Sequence, residues 1–357
     1  MLGCVRTSGS ETFVTQTRKE IMEQPQVLAR VLERNWPLAQ QYAAAIRQAG
    51  VSYVLIAARG TSDHAATYAQ YLFGAHNRLP VALAAPSLYT FYGKPPRLQH
   101  ALVIGTSQSG ASTDIVEVLT DARTQGALTL AITNTEDSPL ARTADLVLPC
   151  LAGEEKAVAA TKTYTAELAC TALLSCALSG DGERLAELRR VPQAAQEAIA
   201  LEETVRQAVE RYRYMESCVV LSRGFNYATA QEIALKIKEL AYVHTQAYSS
   251  ADFMHGPLAS LYEGFPLLAV LSSGALYANL LESLRTVRER QVELIIISDE
   301  DEALSLGRWG FRVPRLPEWL SPMVAVIPGQ WFALALALTK GYDPDRPRAL
   351  SKVTLTR

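Results

Sequence analysis

Read as apolar and polar positions, the chain divides into short runs that are apolar without alternation, each followed by a longer stretch with helical spacing. Val51-SYVLIAA, Val81-ALAA, Ala101-LVIGT, Leu128-TLAIT and Asp145-LVLP are runs of this kind. A strand with one wet face alternates apolar and polar residues, whereas an unbroken apolar run is buried on both faces, as in a parallel sheet covered by helices. The helical period lies between the runs, in Ala65 to Phe73 and Asp114 to Ala122. Upstream, Thr17 to Gly50 reads as helix, with Pro25 as a start or break and Gly50 as a stop; residues up to about Glu11 read as a loose arm.

The same order then recurs. Val219-VLSRG answers Leu55-IAARG, Pro266-LLAVLSSG answers His100-ALVIGTSQSG, Leu294-IIIS answers Leu130-AIT, and Phe311-RVP answers Leu146-VLP, each about 165 residues on. The reading is two copies of one β/α unit joined by a helical region from about Thr163 to Tyr212. The expected fold is α/β: two doubly wound, five-stranded parallel-sheet subdomains in tandem. The expected boundaries are an arm and helix at 1–50, a first subdomain at 51–195, a second at 196–345, and a tail at 346–357. Ligands of such sheets sit beyond the carboxyl ends of the strands, so the chemistry is sought there.

One helical stretch is unusual. Ala228 to Val243 has no Gly or Pro, and Ile233, Ile237 and Leu240 with Ala234, Leu235 and Ala241 make it apolar almost all round, as in a buried helix. Yet Glu232, Lys236 and Glu239 fall at i, i+4 and i+7 and line one stripe. A structural ion pair would explain the first two. A carboxylate facing a cavity, where it moves protons, would explain all three, and Met254-His255-Gly256-Pro257 follows with an imidazole on a tight turn.

Two strand-end loops are rich in hydroxyls. Ser107-Gln-Ser-Gly-Ala-Ser-Thr-Asp opens the helix after Ala101 to Thr106, and Gly60-Thr61-Ser62 follows the first strand. Unpaired N–H groups, partial positive charge and the room left by Gly110 suit an anion there, although simple N-capping would use the same residues. The loop is neither a Walker loop nor a GxGxxG fingerprint. The matching loops of the second copy, Arg223-Gly-Phe-Asn and Ser272-Ser-Gly-Ala, are poorer in hydroxyls, so one copy alone is expected to hold phosphate. Glu154-Glu155-Lys156 after the fifth strand and Lys352 in the Pro-led tail read, taken alone, as surface charges.

Composition narrows the classes. The 357 residues suit two domains, and a formal charge of -2 without an interleaved basic and aromatic run argues against nucleic acid. Cys4, Cys150, Cys170, Cys176 and Cys218 are odd in number and never form CxxC, which argues against a zinc site or disulfide framework and for a reducing compartment. The N-terminus lacks the apolar core of a secretory signal, and the run Val324 to Leu338 is read as broken by Pro328, Gly329 and Gln330 rather than as a membrane span. A cytoplasmic protein with no membrane contact is expected.

Taken together and in order, GTS, SQSG, AATK, EIALKIKELAYVHTQAY, HGPL and RALSKVT resemble the sugar isomerase (SIS) family of flavodoxin-like subdomains. The likeness is nearest to the isomerase half of glucosamine-6-phosphate synthase and to stand-alone glucosamine-6-phosphate deaminases, and it spans Arg18 to Lys352. It implies that Ser107, Gln108, Ser109 and Ser112 hold a phosphate with Gly60 and Thr61 nearby. The sugar would meet Ser62, Glu155 and the backbone around Val158 and Ala160. It further implies Glu239 as the carboxylate that moves a proton between carbons 1 and 2, with Glu232 and Lys236 as its charged neighbours. His255 would open the sugar ring from the neighbouring subunit of a homodimer, and Lys352 matches the lysine that the synthases use for a Schiff base. The chain reads SQSGAST where the synthases read SQSGET. Cys4 is followed within a few residues by the isomerase arm, so no glutaminase domain is expected.

The reaction expected from these residues is conversion of glucosamine 6-phosphate to fructose 6-phosphate and ammonia without metal or organic cofactor. The alternatives are the isomerase component of the synthetic direction, lacking its own glutaminase, and a non-catalytic phosphosugar-binding regulator.

Overall fold

The computed structural model describes residues 15–352. Cys4, the expected N-terminal arm and the tail beyond Lys352 lie outside them. Two helices lead in, α1 (Gln16–Met22) and α2 (Gln24–Gln48), the second carrying Pro25 in its first turn, where a missing N–H costs nothing. The first unit then runs β1 (Tyr53–Ala57), α3 (Thr61–Leu72), β2 (Val81–Leu83), α4 (Ser87–Thr90), β3 (Ala101–Ser107), α5 (Thr113–Thr124), β4 (Leu128–Thr133), α6 (Pro139–Thr143), β5 (Leu146–Pro149) and α7 (Lys162–Ser179). Three connecting helices follow, α8 (Gly182–Leu188), α9 (Val191–Ile199) and α10 (Glu202–Val209). The second unit repeats the plan as β6 (Ser217–Ser222), α11 (Phe225–Ala241), β7 (His244–Ser249), α12 (Ser250–Met254), β8 (Pro266–Leu271), α13 (Tyr277–Arg288), β9 (Glu293–Ser298), α14 (Asp301–Leu304), β10 (Trp309–Arg312) and α15 (Pro322–Thr339).

Both sheets are five-stranded and wholly parallel, in the orders β2-β1-β3-β4-β5 and β7-β6-β8-β9-β10. The expected fold class is therefore observed, and the two orders match strand for strand. The order places the topological switch between β1 and β3, and between β6 and β8, which is where a doubly wound sheet opens a crevice. β7 was not visible as a strand. His244–Ser249 has one pairing neighbour, β6, and its side chains are mostly exposed or half-buried, so it lacks the apolar run that marks the central strands.

The central helices explain the absence of clear amphipathic stripes. α7 and α15 are buried nearly all round; α2 packs along α7, α11 packs along α15, and α3 lies against both α7 and α11. Here one expectation is corrected. The apolar run at Val324 to Leu338 is not broken at Pro328: α15 continues through Pro328, Gly329 and Gln330 as one helix. It is long and apolar enough to cross a membrane by length and composition, but 83% of it is buried inside this fold. Gly329 lies against the Ile233 side chain, and a Cβ there would collide with it, so the glycine sets how closely α15 approaches α11.

Candidate functional site

The charged stripe of α11 is real and faces α3. Gly60 and Gly224 start their helices from nearly the same backbone conformation, φ 56° and ψ -127° against φ 63° and ψ -136°, so α3 and α11 leave the two sheets in equivalent ways and meet. Glu232 and Lys236 are 0% and 1% exposed at the side chain, and the Lys236 ammonium lies 3.3 Å from Glu232 and 2.6 Å from Glu239. From α3, Thr61 Oγ1 donates to Glu232 Oε1 at 3.1 Å and His64 Nδ1 lies 2.7 Å from Glu232 Oε2. Lys236 Nζ also donates to Thr61 Oγ1 at 3.2 Å. Two helices from different copies, about 165 residues apart, thus share one network.

Burial pushes the Glu232 carboxyl up, but Lys236 and His64 outweigh it and hold the group below its ordinary value. Burial likewise opposes the charge on Lys236, and Glu232 with Glu239 more than restores it, raising its pKa. The pair is ionised. Glu239 is the more exposed end of the stripe, 22% accessible, and is held to Lys236 by an ion pair at 2.6 Å.

The loop after β5 supplies the other wall. Glu155, expected to be a solvated charge when read alone, is buried: it accepts from the N–H groups of Thr161 (2.9 Å) and Thr163 (3.2 Å) and from Thr163 Oγ1 (2.7 Å). Its Oε2 also takes Lys352 Nζ at 3.0 Å, and Lys352 donates to the Ala157 carbonyl at 2.6 Å. The tail lysine, a surface residue on a first reading, is therefore delivered to the segment holding Val158 and Ala160, both half-buried. Glu20 of α1, wholly buried, accepts from the N–H of Lys156 and Ala157 and fixes this loop from below.

The hydroxyl loops lie side by side because β1 and β3 are neighbours. Arg59 Nε donates to Asp114 Oδ2 at 2.8 Å and ties the start of α3 to the start of α5. Ser107 Oγ accepts from Gly110 N–H at 3.2 Å and Ser109 Oγ from Ala111 N–H at 3.3 Å, both long. Ser112 occupies the N-cap of α5 but makes no capping bond with its side chain, so capping does not explain it. Gly110 has φ 61°, and a Cβ on it would strike Ser138, which makes glycine a packing requirement as well. Gln108 is half-buried and its carbonyl accepts from Asn134 N–H.

One expected residue stands apart. His255 is exposed at the end of α12, and among the described residues no hydrogen bond or ion pair joins its ring to Glu239 or Lys352. Two residues were missed. His64 follows the GTS motif and lies just before the helical stretch read from Ala65; the i, i+3 spacing from Thr61, which puts both on one face of α3, was the available signal. Glu167 read as one polar residue in a helical region, yet it is 1% exposed and lies 2.8 Å from Ser62 Oγ.

Residues 46–177 and 214–340 match the model of the SIS domain. The glutamine–fructose-6-phosphate aminotransferase [isomerizing] of Pseudomonas putida is 36% identical over 352 residues, covering 94% of this chain and 57% of that protein. The chain thus spans somewhat more than half the length of the curated relatives it matches. Among solved structures, the C-terminal domain of glucosamine-fructose-6-phosphate aminotransferase from Francisella tularensis superposes with a TM-score of 0.84 at 26% identity, covering 95% of this chain and all of that one. Glucosamine-6-phosphate deaminase from Thermotoga maritima shares the fold, with a TM-score of 0.79 at 20% identity over 96% of this chain and all of its own. Paired sheets in matching order, motifs in family sequence and a family model matched on both copies leave one assignment: this chain belongs to the SIS domain family.

Proposed function

We propose that the protein interconverts the aldose and ketose forms of a hexose phosphate carrying nitrogen at carbon 2: glucosamine 6-phosphate and water on one side, fructose 6-phosphate and ammonia on the other. The observation that carries this reading is the Lys236–Glu239 pair at 2.6 Å, presented by the second copy beside the hydroxyl loops of the first. Aldose–ketose exchange removes a proton beside a carbonyl or imine and returns it one carbon away. A carboxylate paired with a buried lysine, and still 22% accessible, is suited to that transfer.

In this proposal Ser107, Gln108, Ser109 and Ser112 grip the phosphate with Thr61 nearby, so remote binding energy orients the reacting carbons. Glu239 moves the proton between carbons 1 and 2, Lys236 pairs with it, and Glu232 with His64 keeps Lys236 in place. Lys352, held by Glu155 over the 155–160 loop, is the amine that meets the open-chain ketose. His255 of a second copy opens the ring, which makes a homodimer the working unit. The names of the curated relatives favour the synthetic direction, with ammonia supplied from elsewhere, over deamination. Since one proton transfer serves both, the free ammonia concentration sets the direction.

The test follows both directions by mass-resolved product analysis. Expected are glucosamine 6-phosphate from fructose 6-phosphate and ammonium, the reverse reaction with ammonia release, and loss of about 10²–10⁴-fold in rate in Glu239→Gln, the usual contribution of a positioned acid–base group. Binding of hexose phosphates without turnover in either direction, with Glu239→Gln indistinguishable from wild type, would establish a sensor instead.

A further inference from the structure

Glu167 of α7 lies directly beneath the site and takes no part in the chemistry proposed above. It is 1% exposed; Oε1 is 2.8 Å from Ser62 Oγ, and Oε2 meets no hydrogen-bond partner among the described residues. The titratable groups that act on it are Glu155 in the loop after β5, Glu232 on α11, Tyr164 one turn back on α7 and Cys150 after β5. None is a cation. The nearby basic groups are engaged elsewhere, Lys352 with Glu155, Lys236 with Glu232 and Glu239, and His64 of α3 with Glu232. A buried carboxylate with two like charges beside it and one hydrogen bond is not sustainable as an anion. Burial first, then Glu155 and Glu232, accordingly push its carboxyl well above the ordinary range.

A neutral acid has one proton to place. On Oε2 it would be a buried donor with nothing to receive it, at the full desolvation penalty. On Oε1 it donates to Ser62 Oγ, and the hydroxyl hydrogen of Ser62 is then turned away from Glu167. An ionised Glu167 would do the reverse, consuming that hydrogen and leaving Ser62 only lone pairs to offer.

We propose that Glu167 is a positioning residue: held as a neutral acid, it donates to Ser62 Oγ and so fixes the Ser62 hydroxyl as a donor toward an acceptor oxygen of the phosphosugar. The inference rests on the functional reading above for its ligand class. It makes Ser62 a selector for carbonyl or phosphate oxygen over a donating group.

The experiment compares wild type with Glu167→Gln, whose amide can still donate to Ser62, and Glu167→Leu, which cannot. Glu167→Gln is expected to keep the KM for fructose 6-phosphate within about threefold, and Glu167→Leu to raise it about tenfold with a smaller change in kcat, the size of one lost hydrogen bond. Raising the pH is expected to weaken sugar binding in wild type before it does so in Glu167→Gln, which cannot ionise. Infrared spectroscopy of the ligand-free protein at neutral pH reads the same claim without turnover: a protonated carboxylic-acid carbonyl band in wild type, absent in Glu167→Gln. Should Glu167→Leu fail to fold, the infrared band and the pH dependence of Glu167→Gln decide. A missing acid band, or Glu167→Gln as impaired as Glu167→Leu, overturns the proposal. An acid band with normal fructose 6-phosphate affinity patterns but no turnover upholds it and overturns the isomerase reading instead.

Discussion

Two buried glutamates under one site are driven in opposite directions, and the reason is their partners. Glu232 faces Lys236 and His64 and is held below its ordinary value of 4.5; Glu167 faces no cation and is pushed above it. The signs for stability follow. The depressed Glu232 stabilises the fold above pH 4.5, and that contribution is lost as pH falls through its folded-state value beneath 4.5. The elevated Glu167 does the opposite, favouring the fold below 4.5 and costing stability as pH rises toward its folded-state value. Replacing Lys236 by Met leaves Glu232, 0% exposed, with His64 and Thr61 but without its lysine, and a loss of about 3 kcal/mol in denaturant unfolding at neutral pH is expected, shrinking as acid neutralises the carboxylate. A loss under about 1 kcal/mol would mean that the stripe is solvated like any surface pair. At this scale the sequence revealed the stripe, because i, i+4, i+7 spacing is local. It did not reveal His64 or Glu167, whose partners lie 168 and 105 residues away and are set by tertiary packing alone.

Elements were legible where burial on both faces left an apolar run, and illegible at the edge. β7 has one neighbour and half-exposed side chains, so only the repeat, applied to β2, could have placed it. The tail is a different case: extended and polar, it has no period, yet the structure docks it firmly. Asp345 accepts from the N–H of Gln16 (2.7 Å) and Thr17 (3.0 Å), filling orphan donors of α1, and Arg348 stacks over Tyr242 at 4.7 Å and Tyr342 at 5.1 Å at the end of α11. Those anchors bring Lys352 to Glu155. Asp345→Ala is expected to cost about 0.5–2 kcal/mol, the size of a lost cap, and to open the 342–352 segment to limited proteolysis while the sheets stay resistant. Unchanged cleavage would show that Arg348 and Lys352 hold the tail without α1.

Across the whole molecule, the repeat builds two equivalent strand-end loop sets that differ in what their N–H donors meet. In the first copy, the N–H groups of the loop after β3 meet hydroxyls at 3.2 and 3.3 Å, contacts weak enough to yield to a phosphate. In the second, donors of the matching loop are already committed to carboxylates: Ser273 N–H to Asp299 at 2.7 Å and Ala275 N–H, the counterpart of Ala111, to Glu318 at 2.8 Å. Asp299 stands where the first copy has Asn134, each following the last residue of its strand, β9 and β4. Glu318 leans over Gly274, where a Cβ would collide with it, and approaches Gly224 as well, so an acidic side chain occupies the crevice that the fold would otherwise offer. On the proposed reading, charge, more than the shortage of hydroxyls seen in the sequence, disfavours a phosphate in the second copy, since one brought there would face two carboxylates at hydrogen-bonding range. Calorimetric titration with fructose 6-phosphate is therefore expected to give one site per chain, and Ser109→Ala with Ser112→Ala to abolish that single site rather than unmask another. A stoichiometry of two, or a residual site of similar affinity in the double variant, would show that the acidic loop yields to a ligand and that both copies bind.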